Sequence, residues 1–435
     1  MKFSSLMRNQ FFAPLFWTQF FGAFNDNVFK NALIILITFK AAQYTEMSPE
    51  LLIPLSAGIF ILPFFLFSAL AGQLADKYEK SRLIRMVKIL EIAIMLLAAV
   101  GFYLQSIYFL IAVLFFMGCQ STLFGPVKYS ILPQHLNEEG LLKGNGIIEM
   151  GTFLAILTGT LVGGIVIMFE GKGELYISIL VISIALAGWL SSRKIPLAES
   201  ANKELKLNFN IFTETFNIIA ASMQNRLIYG AILAISWFWF IGATILAILP
   251  GYTREILHGN EQVVTLLLTL FSVGIGVGSI IAGKSKDLHT SIKWVVIGTT
   301  GISIFALAVY LSSAFLVEAD SGLNDQELQG WLSMFAGFTQ IQILAAILIL
   351  GISGGFYIVP LYVILQECSD PQTRSRTIAS NNIVNALFMV ISAVATMILL
   401  DMGMSLYSLF AILGLLNVII FIILYWQFAS SIKKI

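Results

Sequence analysis

Apolar stretches of about 20 residues, the length a helix needs to cross a bilayer core, recur along the whole 435-residue chain. They predict twelve spans, near 14–39, 51–75, 84–105, 107–127, 147–169, 174–192, 227–250, 262–283, 292–315, 338–366, 378–401 and 404–428. Within hydrocarbon each backbone polar group must find its partner inside the protein, which helices achieve segment by segment. The expectation is therefore an all-α membrane protein. Composition excludes the soluble alternative. Hydrophobic residues make up 58% and charged residues 11%, against about 25% charged in soluble domains. The net charge of +1 gives no purchase on nucleic acid. Cys119 and Cys368 stand far apart beside apolar runs, as packing residues rather than a disulfide framework. Lys2, Arg8 and the run Phe11 to Phe21 imitate a signal peptide, but no small-residue cleavage site follows. The segment reads as an uncleaved first span.

Lysine and arginine set the expected orientation. Lys77, Lys80, Arg82, Arg85 and Lys88 cluster around the 2–3 loop, and Arg193, Lys194, Lys203, Lys206 and Arg226 follow span six. Lys284, Lys286 and Lys293 flank the 8–9 loop, Arg374 and Arg376 the 10–11 loop, and Lys433 and Lys434 end the chain. With an even span count all fall on one side, which places both termini in the cytoplasm. The other side receives only Lys40, Lys172 and Arg254. Residues 193–226 are polar and read as a cytoplasmic linker. Its amphipathic piece Phe209–Ile219 suits the membrane surface. Residues 317–332 form a longer outer loop with four acids. The short gaps after spans three and eleven call for tight hairpins.

The two halves echo one another. Tyr129-Ser130-Ile131-Leu132-Pro133 ends span four, and Tyr362-Val363-Ile364-Leu365-Gln366 ends span ten. Span five opens with Gly144-Asn145-Gly146-Ile147-Ile148-Glu149 and span eleven with Ser380-Asn381-Asn382-Ile383-Val384-Asn385. Residues 1–192 and 227–435 are then two six-helix halves joined by the linker 193–226. That arrangement resembles the major facilitator architecture, whose substrate site lies between the halves near mid-membrane.

Charges inside a membrane are costly and need a partner or a function. Span one carries Asn25, Asp26, Asn27, Lys30 and Asn31. At 100° per residue Asp26 and Lys30 are about 40° apart on one face. Such a stripe suits a cavity, or else Asp26 and Lys30 neutralise each other within the bundle. Lys128, at the end of span four, has no counterpart in the second half. It suits an anionic group such as phosphate, or it snorkels to the interface. Glu149 shares a helix face with Asn145 and serves either substrate or scaffold. Asn385, which closes the matching string in span eleven, is grouped with them. Glu91 reads as scaffold. Trp237, Phe238, Trp239 and Phe240 lie near mid-span in span seven, where they either pack or line an acyl-chain cavity. Second-half spans contribute only Glu367 and Asp401, both at helix ends, so the expectation is one charged wall and one apolar wall. Gly351, Gly354 and Gly355 would leave room on the apolar side.

Gly72-Gln73-Leu74-Ala75-Asp76, followed by Lys77, Lys80 and Arg82, resembles the cytoplasmic signature of major facilitator proteins. It assigns Gly72, Asp76 and Arg82 to gating, with Asp76 suited to capping a neighbouring helix and pairing with a cation. Three further strings carry a narrower resemblance. Gln19-Phe20-Phe21-Gly22-Ala23-Phe24-Asn25-Asp26-Asn27, Pro126-Val127-Lys128-Tyr129-Ser130-Ile131-Leu132 and Asn145-Gly146-Ile147-Ile148-Glu149 resemble the bacterial lysophospholipid transporter family. Phe29-Lys30-Asn31-Ala32-Leu33 and the stretch from Arg374 to Leu387 are similar to the transporter half of fused transporter–acyltransferases. The resemblance implies flipping of lysophospholipids from the outer to the inner leaflet of the bacterial inner membrane. It places Asp26, Lys128 and Glu149 at functional positions, and it implies a separate acyltransferase as a partner. One departure stands out. Stand-alone members carry an arginine within span seven, where this chain has Leu246.

An acyltransferase needs a His and an Asp separated by four residues. Five positions beyond His135, His258 and His289 stand Gly140, Val263 and Trp294, so the chain is not expected to be that enzyme. An exporter of drugs, siderophores or other amphipathic molecules shares the fold and remains the alternative. No cofactor or metal is expected beyond a coupling ion, H+ or Na+.

Overall fold

The computed structural model describes residues 3–44, 47, 49–285, 287–319 and 328–432. Twelve long helices run through them: α1 Ala13–Tyr44, α2 Pro49–Lys77, α3 Lys80–Tyr103, α4 Ile107–Ser130, α5 Glu138–Ile167, α6 Gly173–Ser192, α7 Arg226–Glu255, α8 Glu261–Ala282, α9 Leu288–Ala319, α10 Phe338–Glu367, α11 Arg374–Asp401 and α12 Ser408–Ile432. These match the twelve expected spans in number and order. Ten are long and apolar enough to cross a membrane on those two criteria alone. The exceptions have separate causes. Lys80, Arg82, Arg85, Lys88 and Glu91 load α3 with charge, and α12 is described in full only to Ile422.

Local chemistry sets the helix ends. Glu79, Ser106, Asn137 and Asn260 cap α3, α4, α5 and α8 by accepting from backbone N–H groups of the first turn. The two short gaps turn on left-handed residues, Gln105 (φ 52°) after α3 and Gly403 (φ 85°) after α11. A shorter helix, Ile211–Gln224, lies within the linker, capped by Asn210. Of the segment 317–332, residues 320–327 fall outside the described residues.

The chain forms two compact units, each taking in a piece of the other sequence half. One comprises Met1–Gly144, Leu154–Asn225 and Leu365–Ala386; the other comprises Asn145–Phe153, Arg226–Ile364 and Leu387–Ile435. The exchanged pieces contain the strings that echo each other in sequence, 145–149 and 380–385.

In the first unit α2 packs along α4, α1 and α3 both pack along α6, and Gly159 and Gly163 bring α5 onto the α1 backbone. In the second unit α12 packs on α7 and α9. Gly274, Gly278, Gly351 and Gly355 let α8 and α10 meet backbone to backbone. Large apolar side chains such as Leu62, Ile89, Leu186, Leu311 and Met397 stand exposed, while Asn25, Lys88, Glu91 and Glu149 are buried. Soluble proteins show the reverse distribution. A bilayer reconciles it, because it accepts apolar surface and excludes unpaired polar groups.

Candidate functional site

In the first unit the polar residues of α1 divide among its neighbours. Asn25 is buried and its Nδ2 donates to Glu91 Oε1 of α3 at 3.0 Å. Asp26 Oδ2 accepts from Ser121 Oγ of α4 at 2.7 Å. Asn27 donates to the Ala23 carbonyl of its own helix, and Asn31 to the Thr160 carbonyl of α5. Lys30 Nζ lies over the Phe60 ring of α2, 5.2 Å from its centroid. The residues of the stripe are thus engaged by several neighbouring helices, α2, α3, α4 and α5. Asp26 and Lys30 keep partial exposure. Among the described residues no direct salt bridge joins them, Asp26 being held by Ser121 and Lys30 lying over Phe60.

Beside this lies a network that sequence reasoning missed. Lys88 Nζ donates to Glu91 Oε2 at 2.6 Å, with side chains 0% and 1% exposed. Gln120 Nε2 donates to the same oxygen at 3.1 Å, and Ser121 Oγ is 3.3 Å from Gln120 Oε1. A continuous polar chain thus runs from Lys88 through Glu91, Gln120 and Ser121 to Asp26. Lys88 was counted with the cytoplasmic charges of the 2–3 loop. It sits instead within the bundle, its ammonium 5.3 Å from the centre of the Phe124 ring. A Cβ on Gly22 would come within 2.6 Å of that ammonium, which accounts for glycine there. The available signal was the i,i+3 spacing of Lys88 and Glu91 on one apolar helix face.

Lys128 lies seven residues beyond Ser121, hence on the same face of α4 and about 10 Å further along. Its ammonium sits 4.3 Å from the Tyr129 ring centroid and the residue keeps partial exposure. Between the two, Gly125 opens the α4 surface to Asn382 of α11, whose Nδ2 is 2.6 Å from where a Cβ would stand. Asn381 and Asn385 of α11 are buried in the same unit.

Asp76 occupies a separate place at the end of α2. Its side chain is fully buried and receives the backbone N–H of Ser375 at 3.0 Å and of Arg376 at 3.3 Å, plus Arg376 Nε at 3.1 Å. The carboxylate thus caps α11 at its positive end and pairs with a cation from its first turn. Gly72, one turn earlier, lies against the Ala379 Cβ and Arg376 Cα, which a side chain would displace. Arg82 is exposed, and among the described residues its backbone N–H donates to Glu79 Oε2. The linker also closes on the 2–3 loop. Ala198 N donates to Glu79 Oε1 at 2.8 Å, Lys80 N to the Ala198 carbonyl, and Asn202 N to the Asp76 carbonyl.

In the second unit Asn145 and Glu149 are buried on the part of α5 that meets α8. Gly146 touches the Ser279 carbonyl and Gly276 faces Met150. The two tryptophans of α7 part company. Trp237 is buried and donates to Asn417 Oδ1 of α12 at 2.9 Å, and Asn417 donates in turn to Thr299 and Ser303 of α9. That side chain is committed to packing. Trp239 remains partly exposed, stacks on Phe153 with centroids 6.2 Å apart, and lies 3.4 Å from Tyr362 Oη. The expected room at Gly351, Gly354 and Gly355 is absent. A Cβ at Gly351 or Gly355 would strike α8 backbone, and one at Gly354 would meet the Phe238 ring at 3.1 Å.

Comparison with known proteins agrees with this architecture. The lysophospholipid transporter LplT of Serratia proteamaculans is 26% identical over 354 residues, covering 80% of this chain and 78% of that protein. LplT of Photorhabdus laumondii is 28% identical over 353 residues, with the same coverage. Among solved structures, the human organic anion transporter MFSD10 superposes with a TM-score of 0.71 at 10% identity, covering 94% of this chain and 99% of that one. The proton:xylose symporter XylE gives 0.69 at 13% identity, covering 98% and 96%. The family model described as Major Facilitator Superfamily matches residues 15–317. With that match added to twelve helices, a buried polar core and an apolar exterior, the chain belongs to the Major Facilitator Superfamily and is a multi-pass membrane transporter.

Proposed function

We propose that this transporter moves lysophospholipids from the outer to the inner leaflet of a bacterial inner membrane by alternating access, with both termini in the cytoplasm. The observation that carries this reading is the relatives' named activity, aligned over four-fifths of the chain. The geometry is compatible with an amphiphile. The first unit holds Asp26, Lys30 and Lys128 with partial exposure, and the ammonium of Lys128 suits a phosphate as a point charge. The second unit offers the partly exposed ring of Trp239, backed by the buried Phe153 and Tyr362, which suits an acyl chain. In this proposal Asn27, Asn145, Glu149 and Asn385 support the site, and Trp237 acts only through packing. Asp76 and Gly72 form the gating contact with α11. Arg82 contributes charge at the cytoplasmic surface. No cofactor enters the cycle, the driving ion being H+ or Na+, and a separate acyltransferase consumes the product.

The test is uptake in proteoliposomes of lysophospholipids against the matching glycerophosphodiesters, in wild type and Lys128→Ala. Each buried CH₂ contributes about 0.8 kcal/mol, so affinity should climb with chain length and the deacylated headgroup should barely compete. Lys128→Ala should weaken phosphate-bearing substrates most. Equal affinity with and without the acyl chain would end the lipid reading. Export of drugs or siderophores without lysolipid uptake would favour the alternative.

A further inference from the structure

The linker helix Ile211–Gln224 has three distinct faces. Glu214, Ile218 and Ser222 are buried. Thr213, Asn217 and Gln224 are exposed and polar, about 120° round the helix from them at 100° per residue. On the third face Phe212, Phe216, Ile219 and Met223 fall within an arc of about 60°. Phe212 is 82% exposed and Phe216 74%, with Phe209 just before the cap at 72%. A helix with only one neighbour needs two faces. A third, apolar and open, calls for a second neighbour.

The position of the helix identifies that neighbour. Ile218 packs on Ala69 of α2 together with Ala379 and Ile383 of α11, with Phe65 and Ile219 alongside. Leu51, Leu55 and Leu62 form an exposed apolar stripe on α2, within about 40° of one another, a surface suited to lipid. Ala69 lies seven residues beyond Leu62 and continues that stripe, yet it is buried in a cluster that Ile218 of the linker helix forms with Ala379 and Ile383 of α11. The helix therefore sits where lipid would otherwise touch α2. Its depth agrees. At 1.5 Å per residue α2 is about 44 Å long, exceeding a core of about 30 Å by about 7 Å at each end. Ala69 is eight residues, about 12 Å, from Lys77. The contact therefore falls about 5 Å inside the core boundary, the depth at which interfacial helices lie. The segment before it is pinned to the end of α2, since Gln73 Nε2 donates to the Asn208 carbonyl and Asn208 N to Gln73 Oε1. Lys203, Lys206 and Arg226 are exposed around it and outnumber the exposed Glu204, a positive balance complementary to anionic headgroups.

We infer that the row Phe209, Phe212, Phe216 and Met223 inserts into the headgroup–acyl boundary of the cytoplasmic leaflet, making the linker helix a lipid-anchored strap on α2 and the first turns of α11. The polar face of Thr213, Asn217 and Gln224 then faces water. Because Ala379 lies in both the strap contact and the Gly72 contact, the bilayer surface acts on the same turn of α11 that Asp76 caps.

Spin labels at Phe216→Cys, Met223→Cys and Asn217→Cys, on a Cys119→Ser/Cys368→Ser background in phosphatidylethanolamine–phosphatidylglycerol vesicles, test this. Labels at 216 and 223 should collide several-fold more with oxygen and several-fold less with an aqueous nickel chelate than the label at 217. A second arm uses the unaltered chain with a phospholipid carrying a diazirine in its acyl chain. Adducts are expected on the Phe209–Met223 peptide. Equal nickel access at all three positions, or absence of adducts there while α2 peptides are labelled, would overturn the strap and point to a soluble protein partner for the phenylalanine row.

Discussion

Replacing Asp76 with alanine should loosen the contact between α2 and the first turn of α11 by a predictable amount. The carboxylate is fully buried and accepts three hydrogen bonds, two from backbone amides and one from a guanidinium. Removing one partner of a buried charge pair costs about 3–5 kcal/mol. Arg376 is 21% exposed and can turn to water, so the low end applies. A loss of about 3 kcal/mol is on the order of a 100-fold change in equilibrium. The direct readout is hydrogen–deuterium exchange of the Ser375 and Arg376 amides, which should lose protection by about that factor. Asp76→Asn keeps one acceptor but no charge and should lose about 1.5 kcal/mol. A conformational step that moves α11 away from α2 must break these bonds. Substrate affinity should therefore change little while the rate of leaflet exchange falls, since a cycle that cannot re-form the contact stalls. Unchanged amide protection in Asp76→Ala would refute the capping argument. Lost affinity with full exchange rate would refute the gating role.

Asp26→Asn should nearly abolish transport at normal expression, because Ser121 can still donate to the amide oxygen while the charge is gone; wild-type uptake would remove Asp26 from the site. Lys88→Met leaves Glu91 buried without its cation and should cost about 3–5 kcal/mol in thermal or denaturant unfolding, whereas Lys88→Met/Glu91→Gln, which removes the lone charge and keeps an acceptor for the Asn25 amide, should recover part of it. Burial raises the Glu79 pKa, but amide bonds from Ala198, Ser81 and Arg82 outweigh it and hold the carboxyl below the usual glutamate value. That contact is therefore at full strength above the ordinary glutamate pKa and fades as pH falls through the lowered folded value. Proteolysis of the linker 193–210 should accelerate in that acid range for wild type and show no such step in Glu79→Gln.

The periodic signals were legible and the pairings were not. Twelve helices could be counted from apolar run length because a span must be long and apolar whatever it packs against. Even α3 was placed correctly despite its five charges, since 84–105 retains an apolar face. Partners across the bundle leave no such trace. Nothing at Asn25 specifies Glu91, 66 residues away, and nothing in span three tells a topology-setting lysine from a buried one. Lys88 was misjudged for that reason. Asp76 was easier to read, because capping a helix and pairing with arginine are local chemistries a loop carboxylate can be expected to seek. Trp237 and Trp239 could have been separated in advance. Two residues apart on a helix, they point about 200° apart and cannot both face one cavity.

The glycines of α10 give the clearest test of how small residues should be read in such a chain. As a gap, Gly355 would leave room for an acyl chain, and alanine there would alter chain-length preference with the fold intact. As a seam, it lets α10 lie against α8, and alanine would meet backbone atoms of Ile275, Gly278 and Ser279, which cannot move aside as a flexible side chain can. The geometry favours the seam. Small residues are the common means of close helix approach in membranes, where van der Waals contact replaces the hydrophobic drive. Overpacking of a tight contact costs about 1–3 kcal/mol, so Gly355→Ala should lower the unfolding midpoint in detergent and leave chain-length preference unchanged in the folded fraction. Gly242 of α7 supplies the control, since a Cβ there meets nothing within 4 Å. Gly242→Ala should be neutral or stabilise by up to about 1 kcal/mol through helix propensity. If Gly355→Ala proved as stable as wild type and instead shortened the preferred acyl chain, α10 would have to part from α8 during transport, and the seam would be part of the substrate path.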